Sequence, residues 1–339
     1  MTKPTRLFLF VSGGILVAGL GTGLVAAYMG GLQNLSLLGS SGPGDLAYVP
    51  EGTRAVAFAN IREIMSSELH EKFRDKFNGM QPRNENGLAQ FEAETGVNVT
   101  RDVDSVLAAL GGSSNEQGPP LVLARGRFDT VRIEGFARSK GGQVEDYKGT
   151  RVIAYSDGPS NMPVALAFLE PGLVAVGRAE AIRQSIDARA GTVPSVTANE
   201  ELMRLVRESD EGNVWAVARF DALTSGRLPD SVASRIPPIN WLAVTGHVNG
   251  GVSAAIRAET RDDAAAKDLR DVIQGALGLA RLQSGQNADI AAVVNSVELG
   301  GDGKNVSLSF RLPIEAIDRL AGLRAARPDA PAVPVQPAP

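Results

Sequence analysis

The chain has no cysteine and only two histidines, His70 and His247. It therefore forms no disulfide, offers no thiolate as nucleophile or metal ligand, and has no bacterial lipoprotein cleavage site, which requires cysteine. Four-coordinate zinc would need both histidines plus carboxylates from distant segments. His70-Glu71 opens like the H-E-x-x-H zinc signature, but position 74 is Arg, so the second imidazole is missing. His70 is read instead as a residue on the polar face of a helix, and His247 as the end of a strand beside a turn. Aromatic residues make up only 5% of the chain. Trp215 and Trp241 both fall in segments read as strands, where a large apolar ring belongs to the core.

Clusters of basic charge are also missing. Lys and Arg number 34 against 38 Asp and Glu, for a formal charge of -4. Nucleic acid and anionic lipid headgroups are not expected as partners on that balance. No G-x-S-x-G elbow and no S-x-x-K pattern is present. Gly111-Gly112-Ser113-Ser114 is the nearest glycine-serine loop, and no helix is predicted after it. Asp102 and Asp104 lack the rest of a D-x-D-x-D-G calcium loop, so Asp102 is read as a helix cap. Glu298 and Asp302 belong to a predicted hairpin and serve solubility. No catalytic residue, metal ligand or cofactor is implied.

What the chain does have is Leu7 to Leu32, an uninterrupted run of 26 residues without Asp, Glu, Lys or Arg. That length crosses a hydrocarbon core as one helix. A cleaved signal peptide is the competing reading, but its apolar core is shorter, about 7–15 residues, and Val25-Ala26-Ala27 is a poor processing site. Lys3 and Arg6 precede the run, whereas Asp45 and Glu51 come before the next base, Arg54. Positive charge stays inside. Residues 1–6 are thus expected in the cytoplasm, 7–32 as a single-pass signal anchor in a bacterial inner membrane, and the bulk of the chain in the periplasm or outside the cell. Lys3 and Arg6 supply +2 of the formal charge, so the exported part carries -6. Gly19, Gly23, Ala27 and Gly31 recur every four residues on one stripe of this helix, where a second helix can approach closely. Gly21-Thr22-Gly23-Leu24-Val25-Ala26 also fits a dinucleotide fingerprint. That motif needs a strand and a phosphate-facing turn, which an apolar membrane run does not supply.

Residues 33–46 read as a linker, through Gly39-Ser40-Ser41-Gly42-Pro43, and 325–339 as a disordered Pro/Ala-rich tail. Between them two units are expected, 47–195 and 196–324. In the first, Ala55–Ala59 reads as a strand and Ile61–Phe77 as a helix. A helix at Leu88–Thr95 ends at Gly96, and another spans Val103–Leu110, capped by Thr100 or Asp102. Strand Leu121–Arg127 and helix Asp129–Ser139 follow. Four strands come next, Gln143–Tyr147, Thr150–Tyr155, Val164–Leu169 and Leu173–Val176, before helix Arg178–Ala190. In the second unit a helix capped by Asn199 precedes strand Val214–Ala218. Hairpin Ile239–His247/Val252–Glu259 turns at Asn249-Gly250-Gly251, and a long helix runs from Asp262 to Gln283. Hairpin Val294–Leu299/Asn305–Arg311 and helix Ile314–Leu323 close it. Ala55–Leu69 aligns without a gap to Val214–Leu228, each copy preceded by Glu-Gly, which reads as a tandem repeat. The expected fold class is α+β: an N-terminal transmembrane helix followed by two tandem α+β units with mainly antiparallel sheets packed by helices.

Several short motifs occur in order: Tyr48-Val49-Pro50-Glu51-Gly52-Thr53, Asn60-Ile61-Arg62, Gly126-Arg127-Phe128-Asp129, Glu145-Asp146-Tyr147-Lys148-Gly149 and Val174-Ala175-Val176-Gly177. Over residues 45–320 the set resembles a loose group of uncharacterised bacterial envelope proteins with an N-terminal anchor and a repeated α+β ectodomain. The resemblance implies no activity and no catalytic residues. The functional expectation is a membrane-anchored periplasmic binding or scaffold protein, an accessory subunit of an envelope complex, with protein partners there and the inner membrane as its support. Two alternatives stand beside it: an envelope hydrolase whose carboxylates assemble from separate segments, and a protein that captures a small apolar ligand or lipid.

Overall fold

The computed structural model describes residues 42–72, 92–111, 120–139, 141–155, 164–221, 237–284 and 288–325. The apolar run Leu7–Leu32, with Gly19, Gly23, Ala27 and Gly31, lies outside the described residues. Among the described residues no helix is long and apolar enough to cross a membrane.

The fold is α+β. Twelve described strands form one antiparallel sheet, in the order β11-β12-β10-β9-β8-β1-β2-β3-β7-β6-β5-β4. The strands are β1 (Ala55–Ala59), β2 (Val103–Leu110), β3 (Leu121–Gly126), β4 (Gln143–Tyr147), β5 (Thr150–Tyr155), β6 (Val164–Glu170) and β7 (Leu173–Arg178). Then come β8 (Val214–Arg219), β9 (Ile239–Val248), β10 (Gly251–Thr260), β11 (Glu298–Gly300) and β12 (Asn305–Pro313). The expectation of separate sheets is corrected here, because β1 and β8 are hydrogen-bonded to each other and join the halves.

The helices are α1 (Ile61–Met65), α2 (Thr130–Ser139), α3 (Ala179–Arg189), α4 (Glu200–Ser209), α5 (Asp263–Ser284), α6 (Ala288–Asn295) and α7 (Ile314–Ala325). Their starts follow local chemistry. The side chain of Asn60 accepts the Glu63 N–H, Asn199 accepts that of Leu202, and Asp262 accepts that of Ala265, each satisfying a donor of the first turn. Lys148 at φ 53° and Gly149 at φ 80° turn β4 into β5, two left-handed residues of the kind a tight hairpin needs.

One face of the sheet carries the main core. Phe58, Leu107, Leu123, Trp215 and Trp241 pack there beneath Ile182 and Ile186 of α3 and Leu202, Leu205 and Val206 of α4. On the other face α1 and α2 cover Val106, Ala108 and Val122, and α5 covers Ala258 and Val306. Ile314 and Ile317 of α7 pack on Val248 and Val252.

The repeat read in the sequence meets itself at the centre of the sheet. Ala57 lies directly opposite Ala216, its own counterpart in the alignment. Val56 opposite Val217 and Phe58 opposite Trp215 are the same two positions exchanged. That register is a local two-fold axis through the β1–β8 ladder. Moving outward, β1-β2-β3-β7-β6 on one side matches β8-β9-β10-β12-β11 on the other, with β5 and β4 added at one end.

Three local expectations are corrected. Val103–Leu110 is strand β2, not a helix: six of its eight residues are buried, so it has no polar face to show solvent. The helical signal at Thr100 and Asp102 is real but ends in the single turn Val99–Asp102. The helix from Ile61 breaks at Ser66, with 68–72 helical again and 73–77 outside the described residues. There Ser67 Oγ donates to the Ile64 carbonyl and accepts the His70 N–H, competing with the helix ladder. Val294 belongs to α6, and the strand begins only at Glu298.

Candidate functional site

The site is built between α4 and the floor formed by β9 and β10. Glu259 stands on β10, opposite Trp241 on β9, and is 3% exposed. Alternation along β10 turns it toward α4, where Arg204 is one turn in from the helix start. Arg204 Nη2 donates to Glu259 Oε2 at 2.6 Å, and Lys304 Nζ donates to Oε1 at 2.6 Å. Arg204 Nη1 also donates to Glu208 Oε1 at 3.1 Å, and Glu208 in turn takes Arg257. Positive and negative groups thus alternate from Lys304 through Glu259, Arg204 and Glu208 to Arg257.

Two open hollows flank this row and share Glu201. The larger, about 780 Å³, is lined by Thr197, Glu200, Glu201, Met203, Arg204, Arg207, Glu259 and Lys304. The smaller, about 310 Å³, is lined by Glu201, Arg219, Asp221, Ile239, Asn240 and Trp241. Arg219 bonds Asp221 through two nitrogens at 3.3 Å. The walls are mostly charged, a lining suited to polar and ionic groups more than to an apolar ligand.

Burial pushes the Glu259 carboxyl up, but the hydrogen bonds from Lys304 and Arg204 outweigh it, and the net result lies below the usual carboxylate range. Glu259 is therefore ionised and fully partnered at neutral pH. Such a group holds charge in place; a general acid needs the opposite displacement. Asp210 is pushed up by desolvation, against a hydrogen bond from Trp215 Nε1 at 2.9 Å. It lines neither hollow.

No family of proteins known by its sequence pattern matches this chain, and neither a curated protein nor a solved structure does. The site's chemistry therefore rests on its own residues. Among those described, no group of three or more His, Asp or Glu is placed to hold a metal ion. His70 is half-buried after the break at Ser66, and His247 is exposed near the end of β9. Asp102 accepts the Asn98 N–H at 2.9 Å and pairs with Arg101 and Arg127, so it closes the turn before it and caps no helix after it. Trp215 and Trp241 are in the core, 0% and 5% exposed.

Sequence reasoning missed Glu259, Arg204 and Lys304. They are separated by 55 and 45 positions from one another across Glu259, too far for spacing to link them. Alternation along Ala254 to Thr260 groups Glu259 with Arg257 on the side that reads as polar, so the sequence held no signal for its burial.

The Glu259 pairing makes a pH prediction. Its folded value is depressed, so its contribution is complete above the unfolded value of about 4.3 and is lost as pH falls through the folded value. Glu259→Gln is expected to lower Tm at pH 7, and the gap from the parent protein should close as the pH is taken from 5 down to 3. Thermal unfolding of both proteins across that range checks this. A gap constant with pH would show that the ion pairs contribute nothing.

Proposed function

We propose that the protein is a single-pass, membrane-anchored component of a bacterial envelope, with residues 7–32 as anchor and 47–324 as a scaffold that binds protein partners outside the cytosol. The observation that carries this reading is how the chain enters its body. Asp45 is buried and bonded to Arg125 of β3, through Nε at 3.2 Å and also through Nη2. The same Nη2 donates to Glu170 Oε1 at 2.7 Å, and Tyr48 OH donates to Glu170 Oε2 at 3.0 Å. Hydrogen bonds from Arg125 and Tyr48 hold the Glu170 carboxyl below its usual range, although burial raises it. Leu46 and Val49 are 0% exposed, and the Val49 carbonyl accepts the Val196 N–H at 2.7 Å. A tether ending here pulls on the middle of a rigid sheet and leaves no loose first strand to peel.

The match of strand orders about the Ala57–Ala216 pairing supports the tandem reading, two α+β units sharing one sheet. A continuous sheet with helices on both faces has few elements free to move, as suits a scaffold. The charged hollows beside α4 supply a surface for polar segments of a partner. The test is fractionation followed by purification in mild detergent. The intact chain is expected in the inner-membrane fraction, protected from protease added to the cytoplasmic side and bringing down another envelope protein in fixed ratio. A chain found free in the soluble fraction, or one purifying without any stoichiometric companion, overturns the proposal.

A further inference from the structure

Four large apolar side chains are conspicuously exposed among the described residues, and three of them lie on α5: Val272 at 56%, Leu279 at 48% and Leu282 at 83%. With Gly275 they fall at spacings of three, four and three residues, the seam of a coiled coil. The opposite side of α5 is the one that packs on the sheet, through Ala266, Leu269 and Ile273. A Cβ at Gly275 or Gly278 would meet nothing within 4 Å, so both positions stand open. A soluble surface rarely gathers its exposed apolar side chains along one line unless something covers them.

We infer that a second copy of this chain covers it, through antiparallel pairing of α5 with α5. The seam is complementary to itself in that direction. Leu279 seats over the partner's Gly275, and Val272 meets the partner's Leu282, each contact made twice by the two-fold. Parallel pairing instead sets Gly275 against Gly275, leaving a hole, and Asp268 against Asp268. Charge agrees with the antiparallel choice. Asp268 and Asp271 sit toward the start of α5 and Arg281 near its end, all exposed. Asp271 bonds Lys267 within its own helix at 3.0 Å, and reversing one copy also brings the partner's Arg281 beside it, with Gly278 leaving room for the long side chain. From Val272 to Leu282 the seam spans only about 15 Å of helix, too short to bury the roughly 800 Å² per partner of a standard interface. The pairing is therefore weak and concentration-dependent. It does not rest on the anchor.

The absence of native cysteine makes the test direct. Full-length protein in detergent, carrying Gly278→Cys, is treated with a short bis-maleimide, and dimer is read on a denaturing gel. Gly278 lies next to the two-fold, so efficient cross-linking is expected. Asp268→Cys is expected to give at least fivefold less, because antiparallel pairing holds the two copies of that position about 27 Å apart along the axis. Adding Leu279→Asp to the Gly278→Cys protein should lower the yield at least fivefold with the thermal melt unchanged, since position 279 is exposed in the single chain. Asp268→Cys linking as well as Gly278→Cys overturns the antiparallel pair. So does a Gly278→Cys yield that Leu279→Asp leaves intact, or linkage of Gly278→Cys to a different protein in native membranes. A dye on Leu282→Cys that shifts to the blue with anionic vesicles, without any dimer, would assign the face to lipid and overturn it as well.

Discussion

Replacing Trp215 by Ala is expected to lower the unfolding free energy by about 3–5 kcal/mol. Trp215 is 0% exposed and is the largest fully buried side chain among the described residues. Its ring stacks on Phe58 with centroids 5.6 Å apart, across the ladder that joins the two halves of the sheet. Truncation removes that stacking and opens a void under α4, where rigid strands on both sides limit collapse. It also leaves Asp210 without the Trp215 Nε1 donor, and burial already pushes that carboxyl up. Trp215→Phe separates the two contributions. It keeps most of the ring and loses the hydrogen bond, for an expected cost of about 1–2 kcal/mol. Urea unfolding followed by far-UV circular dichroism measures both. A loss below about 1 kcal/mol for the Ala variant would mean that the centre of the sheet repacks freely, against the tight β1–β8 register.

The second large effect is expected at Arg125. The Asp45 side chain is 5% exposed, and Arg125 neutralises both it and Glu170. Removing one partner of a buried pair leaves an uncompensated charge, which costs about 3–5 kcal/mol. Arg125→Ala should therefore destabilise strongly, and the damage should begin at the entry segment, residues 45–49. Limited proteolysis is expected to cut there while the outer strands still resist. Asp45→Asn combined with Arg125→Met should cost clearly less than Arg125→Ala alone, because the buried Asp45 charge is gone and only the half-buried Glu170, still bonded to Tyr48, loses its cation. If the double variant is no better, the pair acts through packing and not through charge. If stability falls but residues 45–49 keep their protection from exchange, the entry segment is held by Leu46 and Val49 alone.

Much of the fold was legible from local pattern. The hairpins at Lys148-Gly149 and Asn249-Gly250 follow from turn chemistry that operates within a few residues. The helix starts at Asn199 and Asp262 do too. Helix α5 follows from its repeating apolar face. Apart from Asp104 and Ser105, Val103–Leu110 is apolar, and such a run reads equally well as a buried helix or a central strand until its neighbours are known. The break after Met65 depended on which way the Ser67 hydroxyl turned. The charged site was illegible because Glu259 on β10, Arg204 on α4 and Lys304 in the turn before β12 are far apart in the chain, and each alone looks like an ordinary surface residue.

The sequence alone determined that this chain has no disulfide, no thiol chemistry and no run of basic residues, and it located most of the strands and turns, because those depend on residue type and short-range spacing. Tertiary structure decided that the two halves share one sheet, that Ala57 faces its counterpart Ala216, and that Asp45 and Glu259 are buried with their cations. Pairing register and buried ion pairs join residues far apart along the chain, and their energies arise only once the intervening elements have folded and shut water out.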